Sequence, residues 1–273
     1  MAHDPTESKS SPVRALSRGL AVLQAINRGP SLTMMEIARA AQVPYPTASR
    51  LVQTLLLEGL VEQEPDRKRY RPTALVQTLS NGYMGDAHMT RLARQHIVAL
   101  TRRLKWPITL TSRVGHSIVI RDSTHSLTTL TFNAYYPGYA MPVLESAAGV
   151  AILSFMNDVE RAELFSSMER LPAVVDNPVY DLFLHEGLAE ETRERGYAVR
   201  AFNMFTANPG KTSSIAVPIL QDGQPVGALT LAFFANAVRM QDAEREFPPH
   251  MVETAALIAA DLRTSERQRI ARF

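Results

Sequence analysis

The sequence predicts an α+β protein in two parts: a small helical domain closed by a β-hairpin, then a larger domain in which helices flank strands. Three observations carry this. Three short helical periodicities and a strand–turn–strand pattern fill the first 75 residues. From residue 108 onward, strand and helix patterns alternate. Charge is also unevenly divided: residues 12–75 hold 9 Lys or Arg against 5 Asp or Glu, whereas residues 87–273 hold 19 of each. A local basic excess of this kind is expected where part of a chain meets a polyanion.

The 273 residues are 45% hydrophobic and 21% charged, an ordinary composition for a folded chain with a substantial core. There is no cysteine. That excludes a disulfide framework, a thiolate metal site, a haem attachment motif and a cysteine nucleophile. No apolar run approaches the roughly 18 residues that span a bilayer. Residues 1–12 (MAHDPTESKSSP) are polar and lack the pattern of a secretory signal, so they read as a disordered tail. The expected location is the cytoplasm, with no membrane partner.

Leu16, Leu20, Leu23 and Ile26 recur at helical spacing until Gly29-Pro30. The second helix has an explicit start. Thr33 is followed by Glu36, a capping box, with Leu32 and Ile37 placed as a hydrophobic staple. After Gln42-Val43-Pro44-Tyr45 a third helix is expected from Pro46 to Glu58, with Gly59 as its stop. Ala48, Leu51, Val52 and Leu55 share one face. Ser49, Arg50 and Gln53 occupy the other, flanked by Thr47 and Thr54.

Two helices around a tight turn, the second short and polar outside, form a helix-turn-helix pattern. A plain helical hairpin with a solvated face has the same pattern. The next residues favour the first reading. Leu60–Glu64 reads as a strand, Pro65-Asp66 as a turn, and Arg67-Lys68-Arg69-Tyr70-Arg71 places four cations in five residues before Pro72. A basic hairpin after a helix-turn-helix is a wing, suited to phosphate contacts that position without reading sequence. Arg and Gln on the third helix suit guanine and adenine edges in the major groove. The expected DNA-contacting residues are Thr33, Tyr45, Thr47, Ser49, Arg50 and Gln53, with Arg67, Lys68, Arg69 and Arg71 on the wing.

Ala74–Gly85 reads as a short helix or linker, and 87–104 as a helix with Leu92, Ile97 and Leu100 on its apolar side. The expected boundaries are 13–74 for the winged helix-turn-helix, 75–90 for a linker helix and 91–273 for the larger domain. In that domain a hairpin is expected over Ile108–Val114 and Ser117–Arg121, and a third strand over Leu127–Phe132. Ser146–Met156 reads as a small-residue helix, and Asp181–Arg195 as one amphipathic helix stopped by Gly196. Strands follow at Tyr197–Ala201, Ser213–Leu220 and Pro225–Phe234, then a long helix from about Asp242 to Arg269.

Motifs of common enzymes are missing: there is no HExxH, no GxSxG and no dinucleotide-binding glycine pattern. Gly210-Lys211-Thr212 resembles the end of a phosphate loop, but Phe205 stands where the leading glycine belongs and a strand follows. His3, His88, His96, His116, His125, His185 and His250 are scattered, so no metal site and no cofactor are expected.

Read together, Val13–Leu23, Thr33–Val43, Thr47–Gly59, Tyr70-Arg71-Pro72, Ser146–Leu153, Glu191–Tyr197, Ser214–Pro218 and Val226–Leu231 resemble, in order and spacing, the IclR-type bacterial transcriptional regulators. Trp106-Pro107, Val119-Ile120-Arg121, Thr124-His125, Leu130 and Phe132 look like the subgroup that regulates hydroxyphenylpropionate catabolism. The resemblance implies a GAF-like effector-binding domain after the winged helix. It also implies a homodimer or tetramer on a pseudo-palindromic operator in double-stranded DNA, and an aromatic or other small organic acid as effector. Carried over by position, the pocket would be lined by Leu130, Asn133, Met141, Ala147, Ala148, Ser214 and Thr230. Arg121 and His125 are added as anchors for a carboxylate. The loop Asn203–Lys211 departs from the family pattern: it carries no acid and one Lys. An enzyme acting through the C-terminal domain, or a small-molecule-binding protein without DNA, are the alternative readings.

Overall fold

The computed structural model describes residues 13–27, 31–65, 67–80, 86–130, 136–169, 177–200 and 211–270. The chain divides into two compact units, with the break between residues 83 and 84.

In the first unit α1 (Arg14–Asn27), α2 (Met34–Ala40) and α3 (Tyr45–Leu57) enclose a core of Val22, Leu23, Ile26, Ile37, Ala48, Val52 and Val61. The predicted periodicity of α1 is present but only half of it is buried. Leu16 and Leu20 are 62% and 51% exposed, respectively. A three-stranded antiparallel sheet, ordered β1–β3–β2, closes the unit: β1 is Leu32–Thr33, β2 Val61–Gln63 and β3 Arg69–Pro72. Sequence reasoning missed β1, since two residues carry no period. A 3-10 helix, Ala74–Ser80, follows.

The second unit is built on a six-stranded antiparallel sheet ordered β6–β5–β4–β9–β8–β7. Its strands are β4 (Ile108–Val114), β5 (Ser117–Ser123), β6 (Ala140–Pro142), β7 (Ala198–Arg200), β8 (Thr212–Gln221) and β9 (Gln224–Phe234). The β8–β9 turn has Asp222 at φ 50° and Gly223 at φ 77°, the paired positive values of a tight hairpin turn. Alternation sorts the strands' side chains. Ile108, Leu110, Ile215, Val217, Leu229 and Leu231 face one way, where α4 (Asp86–Leu104) and the long C-terminal helix cover them. Ile118, Ala198, Ala216 and Ala228 face the other way, under α5 (Ala147–Phe155).

Three expectations are corrected here. The strand expected at Leu127–Phe132 does not form over its described part: Leu127 ends a 3-10 turn and 128–130 are irregular. Thr128 Oγ1 donates to Lys105 O and accepts from Leu130 N, and the second, local bond competes with a ladder. The place beside β5 is taken by β6, which pairs Met141 with Ile118. The helix expected at Asp181–Arg195 is two, α7 (Pro178–His185) and α8 (Leu188–Arg195), because Gly187 at φ 69° turns the chain between them. A further helix, α6 (Asp158–Met168), lies where no element was anticipated. The C-terminal helix, α9, runs Met240–Ile270 with Pro248 and Pro249 inside it.

Candidate nucleic-acid interface and effector cleft

The start of α2 is fixed as its sequence requires. Thr33 Oγ1 accepts from Glu36 N at 3.3 Å, and Glu36 Oε2 accepts from Thr33 N at 2.7 Å. These two bonds satisfy helix-end donors reciprocally. The same bonds to Thr33 hold the Glu36 carboxyl below its ordinary pKa, with Arg69 and Arg39 adding to the effect. The Thr33 hydroxyl, expected to meet DNA, is thus engaged within the chain: it also donates to Glu36 Oε2 at 2.9 Å.

Helix α3 enters from Pro44, with Pro46 in its first turn where a missing N–H costs nothing. Ala48 and Val52 are fully buried, which turns the opposite face outward. On it Tyr45, Arg50 and Gln53 are exposed, while Thr47 and Ser49 are half-buried. Five of the expected contact residues therefore lie on one short helix, concentrated toward its N-terminal half. That is the part of a recognition helix that meets base edges.

The four wing cations divide into two kinds. Arg71 pairs across the hairpin with Glu62, Nε to Oε1 at 2.6 Å, in direct register. Arg69 turns back onto the body of the domain. Its Nε and Nη2 donate to Ser31 O at 2.9 and 2.6 Å, and Nη2 also reaches Glu36 Oε2 at 3.1 Å. Arg67 and Lys68 are exposed at the tip and form no ion pair among the described residues.

In the second unit a cleft opens on the α5 face of the sheet. Met141, Ala147, Ala148, Ser214 and Thr230 line it, five of the residues expected there. Leu130 instead packs against the cluster on the other face. Arg121 donates from Nε to Ser112 Oγ at 2.7 Å, and His125 bonds Ser123 through its N–H and ring; neither lines the cleft. Asn133 and the loop 203–210 lie outside the described residues.

Seven lining residues were not anticipated, and four of them are polar: Thr109 and Thr111 on β4, Ser146 before α5, and Arg200 on β7. Arg200 was findable. It stands two residues from buried Ala198, so strand alternation puts it on the same face, in register with Ser214. Most of the hydroxyls are already used. Thr109 and Thr111 donate to the carbonyls of Thr230 and Ala228 at 3.5 and 3.1 Å. Ser146 Oγ caps α5 through Gly149 N at 2.9 Å. Thr230 Oγ1, by contrast, is buried without a hydrogen-bond partner among the described residues. Beside the cleft, burial raises the pKa of Glu145, and the charge of Arg200 partly offsets the shift. The free interior between the described residues is about 30 Å³, room for about two waters.

Among the described residues, no group of three or more His, Asp or Glu could hold a metal ion, and no helix is long and apolar enough to cross a membrane. Comparison with known proteins gives a consistent result. Residues 15–65 match the IclR helix-turn-helix domain, and residues 81–260 match the bacterial transcriptional regulator IclR C-terminal domain. The HTH-type transcriptional regulator TsaQ1/TsaQ2 of Comamonas testosteroni is 29% identical over 149 residues, 54% of this chain and about half, 53%, of that protein. The glycerol operon regulatory protein of Streptomyces coelicolor is 26% identical over 92% of this chain and 96% of its own length. An IclR homologue from Microbacterium hydrocarbonoxydans, solved in complex with 4-hydroxybenzoate, superposes with a TM-score of 0.63 at 23% identity, covering 92% of this chain and 99% of that one.

Proposed function

The chain belongs to the IclR family of bacterial transcriptional regulators, and from that premise we propose that it controls a catabolic operon in response to a small aromatic acid. Both matching domains are those of regulators rather than enzymes. The α3 face of Tyr45, Arg50 and Gln53 reads base edges, and Arg67 and Lys68 rest on phosphates. A homodimer sets two such helices about one DNA turn apart on a pseudo-palindrome. Val13, just before α1, and Leu16 and Leu20 on it, 67%, 62% and 51% exposed, form an apolar face suited to the second copy.

The observation that carries the effector reading is Thr230, a buried hydroxyl in the cleft wall without a hydrogen-bond partner among the described residues. Such a group loses free energy until a ligand satisfies it. Few convergent polar groups over Ile118, Met141, Ala147 and Ala148 suit an aromatic ring with one charged end. Arg200 takes the carboxylate, and Thr230 or Ser214 takes a ring hydroxyl. The relative that binds 4-hydroxybenzoate supports this class. A hydroxyphenylpropionate is the longer member of it. Because the free interior holds only water-sized molecules, binding opens the cleft, and that displacement couples effector to DNA affinity.

Calorimetric titration of the full chain with 4-hydroxybenzoate and with 3-hydroxyphenylpropionate tests the assignment. One of them should bind, and Arg200→Ala should weaken it by about tenfold or more. Equal affinity in Arg200→Ala and Thr230→Val would remove this cleft as the effector site.

A further inference from the structure

Resting on the DNA-binding reading above, we propose that Arg69 serves DNA binding as a positioning residue: with Glu36 it latches the wing to the start of the helix-turn-helix. Arg69 stands on β3, the wing's return strand. Its partners stand outside the wing, at Ser31 and in the first turn of α2. Backbone pairing between these parts is only two residues long, Leu32 with Tyr70 and Thr33 with Arg69. So short a ladder fixes the hairpin's angle weakly by itself.

The side chains supply what the ladder lacks. One oxygen of Glu36, Oε2, collects donors from Thr33 N, Thr33 Oγ1 and Arg69 Nη2, at 2.7, 2.9 and 3.1 Å. The Glu36 carboxylate thus caps α2 and holds the wing at once. The forked contact of Arg69 with Ser31 O uses two donors of the planar guanidinium, a geometry that lysine cannot reproduce. Arg69 is also less exposed than Arg67 and Lys68, its side chain 31% accessible. A guanidinium turned inward in this way sets where the tip cations lie and leaves the phosphate contacts to them.

Charge alone makes the opposite predictions, which allows a clean test. Glu36 is an anion on a surface that approaches phosphates, so simple electrostatics has Glu36→Gln tighten DNA binding. The latch has it weaken binding, by about fivefold to tenfold. Glutamine keeps the capping box, so α2 stays intact. Arg69→Lys keeps the charge but loses the fork; it should lose about as much affinity as Arg69→Ala.

The measurement is full-chain affinity for an operator duplex across a salt series, with thermal melting of each variant as a check on folding. Arg69→Ala should cost little further once Arg67 and Lys68 are both alanine, because it acts through them. Tighter binding by Glu36→Gln overturns the latch. So does an Arg69→Lys variant that binds like the parent. An Arg69→Ala change that lowers the salt slope by about 0.9 in the doubly substituted background also overturns it, by making Arg69 a phosphate contact. Failure of the parent chain to bind any duplex would instead sink the underlying DNA-binding reading.

Discussion

Thr230 and Tyr180 are two hydroxyls in similar surroundings with opposite consequences. Tyr180 is 5% exposed and donates to Glu169 Oε1 at 2.8 Å. Burial, with the bond to Glu169, pushes its pKa up to about 12. Tyr180→Phe should therefore cost about 1 kcal/mol in urea unfolding. Tyr180's folded pKa is raised above the unfolded value near 10, so its contribution is complete below about pH 10 and lost as pH rises toward 12. Thr230 Oγ1 has no hydrogen-bond partner among the described residues to lose. Thr230→Val should leave stability equal or raise it by about 1 kcal/mol, while weakening the aromatic acid. A large loss of stability on Thr230→Val would mean that a partner was missed.

Single residues were legible in the sequence where a local rule named them. Thr33 and Glu36 announce their cap, and Arg50 and Gln53 lie opposite buried Ala48 and Val52. The fate of Arg69 was not legible, because its partners stand 33 and 38 residues away and only folding brings them together. Arg121 and His125, expected as carboxylate anchors, do not line this cleft: Arg121, on the strand where it was expected, donates to Ser112, and His125 bonds Ser123.

At the scale of elements, α5 approaches the turn before it closely at Gly149. A Cβ on Gly149 would sit 1.7 Å from Val143 O, a backbone atom. Gly149→Ala must therefore move either α5 or the preceding 3-10 turn, at a cost of about 3 kcal/mol in chemical denaturation. Ala147 and Ala148 line the cleft from the same helix, so the variant should lose effector affinity as well. If both properties stayed at parent values, the close approach would have to be wrong. In the first unit, Thr33→Ala removes the α2 cap and should lower stability by about 1 kcal/mol.

Several elements were readable from period and punctuation: the hairpin at Asp222-Gly223, the long C-terminal helix and the small-residue helix α5 all lie where expected, whereas the 11-residue α6 was not anticipated. Two short strands were not readable. β1 and β6 are two and three residues long and exist only through pairing with β3 and β5. The Thr-rich segment at 127–130 has high strand propensity, yet the Thr128 hydroxyl is engaged by Lys105 O and Leu130 N, and β6 fills the sheet position.

For the whole molecule, Glu145 beside the cleft gives a pH dependence that can be read in stability. Burial raises the Glu145 pKa, so the folded state binds its proton at higher pH than the unfolded chain does. The buried charge costs stability above that raised value, and the cost fades as pH falls through it. The melting temperature of Glu145→Gln should therefore gain on the parent's as pH rises from about 4 to 7. A constant difference across that range would contradict the assignment.

The division into a basic N-terminal part and a balanced remainder was the first sign of function, and the family assignment agrees with it. The most direct test is a titration of the full chain into labelled DNA from upstream of its own gene, with a scrambled duplex at the same salt as control. The titration is repeated with 4-hydroxybenzoate or 3-hydroxyphenylpropionate present. The regulator described here should prefer the native duplex by about a thousandfold or more, and the acid should change that affinity. Equal, weak binding to both duplexes, unmoved by either acid, would contradict it.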